Sequence, residues 1–309
     1  MQMDPSQLAA LSAVLRLGAF EAAAHALAVT PSAVSQRIKA LEDRIGTALV
    51  LRGAPCTGTA AGLRIAKHAE DIGLLEAQLA RELALEAGQG PVRLRIAVNA
   101  DSLASWFIGA MADVDGVLFD LLVDDQDHSA DWLKRGEVSA AVTASSKPVT
   151  GFDAFPLGTL DYAATASPAF MARWFPDGVT PEAAARAPCL IFNAKDSLQR
   201  LWLERNVAPG LAPPAHFLPS TQAFIDAAAA GLGWGMNPLA MVAGDIRSGR
   251  LVPLIADTAL PVPLTWQVAR VMAPALAEVT RAVQKSARLY LTQSQTGKPA
   301  HVLERRSQL

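Results

Sequence analysis

The hydrophobic period of this chain changes at Gly88-Gln89-Gly90-Pro91, and that change limits what the chain can fold into. Before it, apolar residues recur every three or four positions, as on helices. After it, short alternating runs of strand type are interleaved with helical stretches. Glycine and proline together interrupt regular structure, so the segment reads as a hinge and a domain boundary. At 309 residues and 51% hydrophobic, the chain can bury more than one core.

The helical part has internal punctuation. Residues 5 to 18 predict a helix that stops at Gly18, with Leu8, Leu11, Val14 and Leu15 on one face. A second, short helix spans about Phe20 to Leu27. Thr30 is a helix cap and Pro31 suits a first helical turn, so Ala28 to Pro31 turn the chain into a third helix ending at Gly46. Residues 47 to 60 are short apolar pieces broken by Gly and Pro, and predict a small hairpin, a wing. From Gly62 to Ala87, Ile65, Ala69, Ile72, Leu75, Leu79 and Leu83 form a stripe close to that of a coiled coil. A lone helix cannot hide such a stripe, so the chain is not expected to be a monomer. The Gly88 to Gly90 hinge is expected to keep this helix off the domain that follows.

Beyond Pro91, strands are expected at Val92 to Val98, Val117 to Val123, Val138 to Thr143, Cys189 to Asn193 and Trp234 to Met236. Helices are expected at Ser102 to Met111, Asp131 to Arg135, Gln199 to Asn206, Thr221 to Gly231 and Ala275 to Tyr290. This alternation predicts an α/β domain with a largely parallel sheet. The tail, 293 to 309, is polar and aperiodic and is expected to be disordered.

Formal net charge is -2, so nucleic-acid binding must be argued from local sequence. Cys56 and Cys189 are far apart, which excludes a disulfide framework and leaves no metal-ligand spacing. His128 reads as a loop residue, and no metal or cofactor is expected. No apolar run reaches the ~18 to 20 residues of a membrane span, and the first residues lack the pattern of a signal peptide. A cytoplasmic protein with no membrane partner is the expectation.

The third helix carries the strongest chemistry. Val34, Ile38, Leu41 and Ile45 share one face, and Ser32, Ser35, Gln36 and Lys39 another. The first set can bury against helices one and two, while the second faces a major groove in double-stranded DNA. Gln36 can pair with a base edge. Arg37, Lys39 and Arg52 suit phosphates, and Thr30 and Pro31 fix the start of the helix. A helical hairpin with a merely solvated charged face is the bland alternative.

Residues 4 to 67 resemble the DNA-binding end of the LysR-type transcriptional regulators, through FEAAAHAL, VTPSAVSQRIKALEDRIG and Leu51-Arg52. The departures are Val50, where members commonly carry Phe, and Gly53-Ala54-Pro55-Cys56, where they carry more basic residues. Further segments resemble the ArgP/LysG branch: AVNADSLASWF (97 to 107), VDDQDHSADWLKRGEVSAAVT (123 to 143), LGTLDYAATASPAF (157 to 170), FPDGVT (175 to 180), STQAFIDAAAAGLGWGM (220 to 236) and PLTWQ (263 to 267). The resemblance implies a winged helix-turn-helix at 1 to 60 and a dimerising linker at 61 to 90. It also implies a two-lobed effector domain, like a periplasmic binding protein, at 91 to 292. Lobe I would be 92 to 162 with 268 to 292, and lobe II 163 to 267. It further implies a homodimer or homotetramer, a pseudo-palindromic promoter site, RNA polymerase as a further partner, L-lysine or L-arginine as effector, and an amino-acid exporter gene as target.

Within that frame, Asp101 and Ser102 stand at a strand end entering a helix, where a hydroxyl and free N–H groups suit a carboxylate. Asp124 and Asp125 end the next strand and could pair with an ammonium group. Thr143, Ser220 and Thr221 also fall at element ends facing the cleft. Trp234 would cover an aliphatic stem, and Asp161 is a further candidate for the side-chain amine. Two readings stay open for several of these. Asp101 and Ser102 could simply cap a helix, Asp124 and Asp125 could be solvated loop, and Trp234 could be core. An enzyme is not expected, because GxSxG, a phosphate loop with Lys and HExxH are all missing. A regulator with another small-metabolite effector, or a ligand-independent nucleoid or replication-associated DNA binder, are the alternatives.

Overall fold

The computed structural model describes residues 3–85, 91–124, 129–144 and 147–293. Three helices open the chain: α1 (Pro5–Leu17), α2 (Phe20–Ala26) and α3 (Pro31–Ile45). They bury Leu8, Leu11, Val14, Ala23, Ala24, Val34, Ile38 and Leu41 in one small core. A two-stranded antiparallel wing follows, β1 (Val50–Leu51) against β2 (Thr57–Gly58). The Glu42 carboxylate accepts from the Leu49 amide at 2.7 Å, which ties α3 to the wing.

Helix α4 (Ala60–Glu82) then leaves the wing. It starts where the Thr59 hydroxyl accepts from the Gly62 amide. Gly62 is required there, since a Cβ would lie 2.0 Å from the Leu49 carbonyl oxygen. The helix ends five residues before the expected Ala87. Ala84 takes a left-handed φ of 49° just beyond it, and residues 86 to 90, which include Gly88, Gln89 and Gly90 of the hinge, lie outside the described residues.

Helix α4 belongs to two cores at once: Ile65 packs in the first and Leu74 in the second. It also lies against β3 (Val92–Asn99). The expectation that the hinge frees this helix from the following domain is therefore corrected. Leu74 is buried there, and Asp71 accepts from the Ser139 hydroxyl at 3.0 Å. On the rest of its surface Leu75, Leu79 and Leu83 remain exposed.

The second unit continues with α5 (Ala100–Ser102), a wider π turn at Leu103–Phe107, α6 (Ile108–Ala112), β4 (Val117–Asp124), α7 (Ser129–Arg135), β5 (Ala140–Thr143) and β6 (Phe152–Ala166). Next come α8 (Pro168–Trp174), α9 (Pro181–Arg186), β7 (Cys189–Ile191), α10 (Leu198–Asn206), β8 (Ala215–Phe217), α11 (Thr221–Ala229) and β9 (Gly235–Pro238). The chain closes with α12 (Leu239–Ser248), β10 (Val252–Pro253), β11 (Leu260–Ala269) and α13 (Ala277–Tyr290).

The main sheet runs β10-β6-β11-β5-β3-β4, with β9 also on β6. It is mixed, not largely parallel. Strand β3 pairs in parallel with β4 and β5, but β11 is antiparallel to both β5 and β6. The expectation failed because β6 and β11 are long strands of 15 and 10 residues. Their Pro and Gly residues disguise them as loops in the sequence. One end of this pair continues the sheet through β5, and the other end takes β9 and β10. The pair slips register between Leu264 and Thr265, opposite Pro156 and Gly158. A bulge of this kind bends strands, so the two strands are the shared spine of the domain. Tail residues 294–309 lie outside the described residues. Among the described residues, no helix is long and apolar enough to cross a membrane.

Candidate DNA-reading face and ligand pocket

The first candidate site is built on α3. Thr30 caps the helix by accepting from the Ala33 amide at 3.2 Å, and Pro31 occupies the first turn. Gly46 ends it with φ 82°. Val34, Ile38 and Leu41 are buried, which fixes the rotation of the helix about its axis. The opposite face is thereby presented outward: Ser32, Gln36 and Lys39 are exposed, and Ser35 and Arg37 are half-buried. Arg52 reaches in from the wing and stacks over Phe20, with its guanidinium carbon 5.4 Å from the ring centre. Ser32, Ser35 and Arg52 line one groove with Pro55 and Cys56 between helix and wing. The structure thus brings Thr30, Pro31, Ser32, Ser35, Gln36, Arg37 and Lys39 onto one element with Arg52 beside it.

The second candidate site lies where the two ends of the spine meet. Strand β3 carries the chain to Asp101, and β6 carries Tyr162. The Tyr162 hydroxyl donates to Asp101 Oδ2 at 2.6 Å, and the Thr221 hydroxyl, from the start of α11, donates to Asp101 Oδ1 at 2.8 Å. Ser220 caps that helix through the Ala223 amide. Around Asp101 the pocket is closed by Phe192, Asp196, Leu198, Phe224, Met236, Asn237 and Pro238. Phe224 can lie against β9 only because residue 235 is glycine, as a Cβ there would sit 2.3 Å from the ring.

The electrostatics of this pocket are one-sided. Asp101 is half-buried in this pocket. Burial pushes its carboxyl above the ordinary range, the Tyr162 and Thr221 hydrogen bonds pull it down, and the charge of Asp196 adds to the rise. Asp196 is itself held by the Phe192 and Leu198 amides and the Gln199 amide group. Two carboxylates and no basic side chain line the pocket among the described residues. The remaining space is about 30 Å³, the room of about one water molecule. Asn237 donates to the Thr165 hydroxyl, while its own amide oxygen is buried with no hydrogen-bond partner among the described residues.

Several sequence candidates fall elsewhere. Trp234 is wholly buried and packs on Trp202 with ring centres 5.5 Å apart, so it is core and covers no ligand stem. Asp161 points away from the pocket and accepts from the Thr292 hydroxyl at 2.6 Å. Thr143 is buried within the sheet, where it accepts from Gln267 at 3.0 Å. Ser102 is buried beside Asp101, and its hydroxyl has no hydrogen-bond partner among the described residues. Ser220 is exposed at the helix start. Asp124 ends β4, but its side chain, like the whole of Asp125 and His128, lies outside the described residues. Sequence reasoning missed Tyr162, Phe192, Asp196, Phe224 and Asn237. One signal was available: Asp196 two residues before a helix is a familiar Asx turn.

A capped recognition helix with a wing, joined through a long helix to an α/β domain with an acidic pocket, defines a ligand-responsive DNA-binding regulator. Comparison with known proteins agrees. Residues 5–63 match the model of the bacterial regulatory helix-turn-helix protein, lysR family, and residues 87–288 match that of the LysR substrate binding domain. The chain is 43% identical over 299 residues to the HTH-type transcriptional regulator LysG of Mycobacterium tuberculosis, covering 96% of this chain and 98% of that one. The crystal structure of ArgP from Mycobacterium tuberculosis superposes with TM-score 0.77 at 42% identity, covering 95% of this chain and all (100%) of the other. Full-length LysG from Corynebacterium glutamicum, solved with bound effector Arg, is 34% identical, with TM-score 0.65 and coverage of 94% and 100%. The chain belongs to the LysR family of transcriptional regulators.

Proposed function

We infer that this regulator responds to a basic amino acid, L-arginine or L-lysine, held at Asp101. The observation that carries the reading is the pocket itself: two carboxylates, apolar and aromatic walls, and no basic side chain among its described lining residues. A guanidinium or ammonium group compensates that buried charge, and Phe192, Phe224 and Leu198 suit the methylene stem. Further support is the arginine bound to the Corynebacterium glutamicum relative. At about 30 Å³ the space does not admit such a ligand. Binding therefore requires the walls around Asp101 to move apart, which shifts the domain between two arrangements.

Helix α4 is rooted in both cores, so a shift in the second unit is transmitted to the recognition helices. The exposed Leu75, Leu79 and Leu83 stripe suits pairing with a second copy, which sets two recognition helices over a pseudo-palindromic site. Thr30, Pro31, Ser32, Ser35, Gln36, Arg37, Lys39 and Arg52 contact DNA in this reading, and Asp101, Asp196, Thr221 and Asn237 contact the effector. Control of an amino-acid exporter gene in the cytoplasm, through contact with RNA polymerase, completes the proposal. Calorimetric titration with L-arginine, L-lysine and L-leucine tests it. Saturable binding of the two basic amino acids alone is expected, and equal binding of leucine, or none of the three, refutes it.

A further inference from the structure

A second concavity lies between α4 and the effector domain, away from the Asp101 pocket. It encloses about 950 Å³, within the range of small-molecule sites. One wall is the first half of α4, with Arg64, Lys67 and His68. The facing wall is the end of α7 and the segment leading into β6, with Lys134, Lys147 and Phe152, and Val271 completes it. Five side chains that are or can become cationic thus face one cleft.

Asp71 is the one acidic residue among the described lining residues, and it is already committed. Lys67 Nζ lies 2.6 Å from both its oxygens, and the Ser139 hydroxyl donates to it as well. Arg64 is held in place from the opposite side. Its Nη1 donates to the Arg135 carbonyl at 2.9 Å, across the cleft from its own helix. That reach depends on Gly136, because a Cβ there would sit 1.6 Å from Arg64 Nη1. A guanidinium has five N–H donors, so a positioned fork remains for a ligand. His68 is exposed on the same face of the helix.

We propose that this cleft is a second ligand site, for a small polyanion carrying at least two phosphate or carboxylate groups. Such a ligand bridges Arg64 and His68 on the linker helix to Lys134 on the effector domain, whose ammonium it shares with Asp131, 2.8 Å away. It is chemically opposite to the cation proposed for the acidic pocket. Bound there, it fastens the linker helix to the effector domain and changes how a shift at Asp101 reaches the DNA-binding unit.

Isothermal titration of the intact protein at low salt tests this, with inorganic pyrophosphate and citrate as separate probes. At least one of them binds saturably, and the Arg64→Gln/His68→Gln double variant weakens that binding about tenfold or more. Retained L-arginine binding in the same variant shows that it is folded. The comparison of pyrophosphate with citrate identifies phosphate or carboxylate as the preferred group. Absence of binding at millimolar probe, or binding that the double variant leaves unchanged, overturns the proposal. So does loss of binding in Lys39→Gln, which would place the probe on the recognition helix. If the double variant lowers DNA affinity and neither anion binds, the cleft serves DNA phosphates and the small-ligand site is refuted.

Discussion

The recognition helix and the acidic pocket solve opposite problems. On α3 the side chains proposed to read DNA, Ser32, Gln36 and Lys39, are all exposed, and buried Val34, Ile38 and Leu41 hold them in place from behind. That surface is preformed, and its polar groups wait in water at little cost. In the pocket, Asp101 is half-buried and already bonded by Tyr162 and Thr221. Both oxygens of the Asp101 carboxylate thus already have protein partners, while the Asn237 amide oxygen has none among the described residues. A DNA reader gains from rigidity, whereas a sensor gains from a closed state that only the right charge opens.

The contrast can be broken most strongly at its acidic end. Replacing Asp101 by Asn removes the buried charge and is expected to cost about 2 to 5 kcal/mol of arginine binding, read by calorimetry. DNA affinity without effector should stay near that of the unmodified protein. A comparably large effect is expected at the other end from Ile38→Ala. The lost methyl groups and the cavity cost about 2 to 5 kcal/mol, so DNA binding fails in a shift assay while arginine titration is retained. Loss of both functions would show that the two cores do not behave separately.

Gln36→Ala sharpens the comparison without touching a core. Discrimination between operator variants should fall by ~1 to 3 kcal/mol if Gln36 reads a base bidentately, with melting temperature unchanged. Thr30→Ala removes the helix cap at a cost of about 1 kcal/mol, seen as a modest drop in thermal stability.

A pH prediction belongs to the pocket alone. Burial raises the Asp101 carboxyl above the ordinary range. Its contribution to stability is therefore present below the ordinary carboxylate pKa and is lost as pH rises through the raised value. Asp101→Asn should remove that loss. A cationic ligand selects the charged form, so arginine affinity should strengthen as pH rises through the same value. Titration in buffers of differing ionisation enthalpy should show a proton released on binding below it.

The two sites also differ in how far they could be read in the sequence. The DNA face lies in one stretch, residues 20 to 46, where caps, glycine stops and a 3.6-residue period are local facts. The pocket joins Asp101, Tyr162, Asp196, Thr221 and Asn237, which only the long β6–β11 spine brings together. Those strands contain Pro156, Gly158, Pro261 and Pro263, so no local rule shows them as one sheet. Asp101 and Thr221 were nonetheless legible, because each begins a helix after a strand or turn. Trp234 and Asp161 were misplaced because residue type cannot tell which face of a strand end looks inward.

The most direct test joins both regions in one experiment. A DNA fragment selected for binding by the intact protein is footprinted with no effector, with L-arginine, and with L-leucine. The expected result is a footprint whose length or position shifts with L-arginine alone, and whose shift is lost in Asp101→Asn. An identical footprint under all three conditions, despite arginine binding, would contradict the claim that the acidic pocket controls the DNA-reading face.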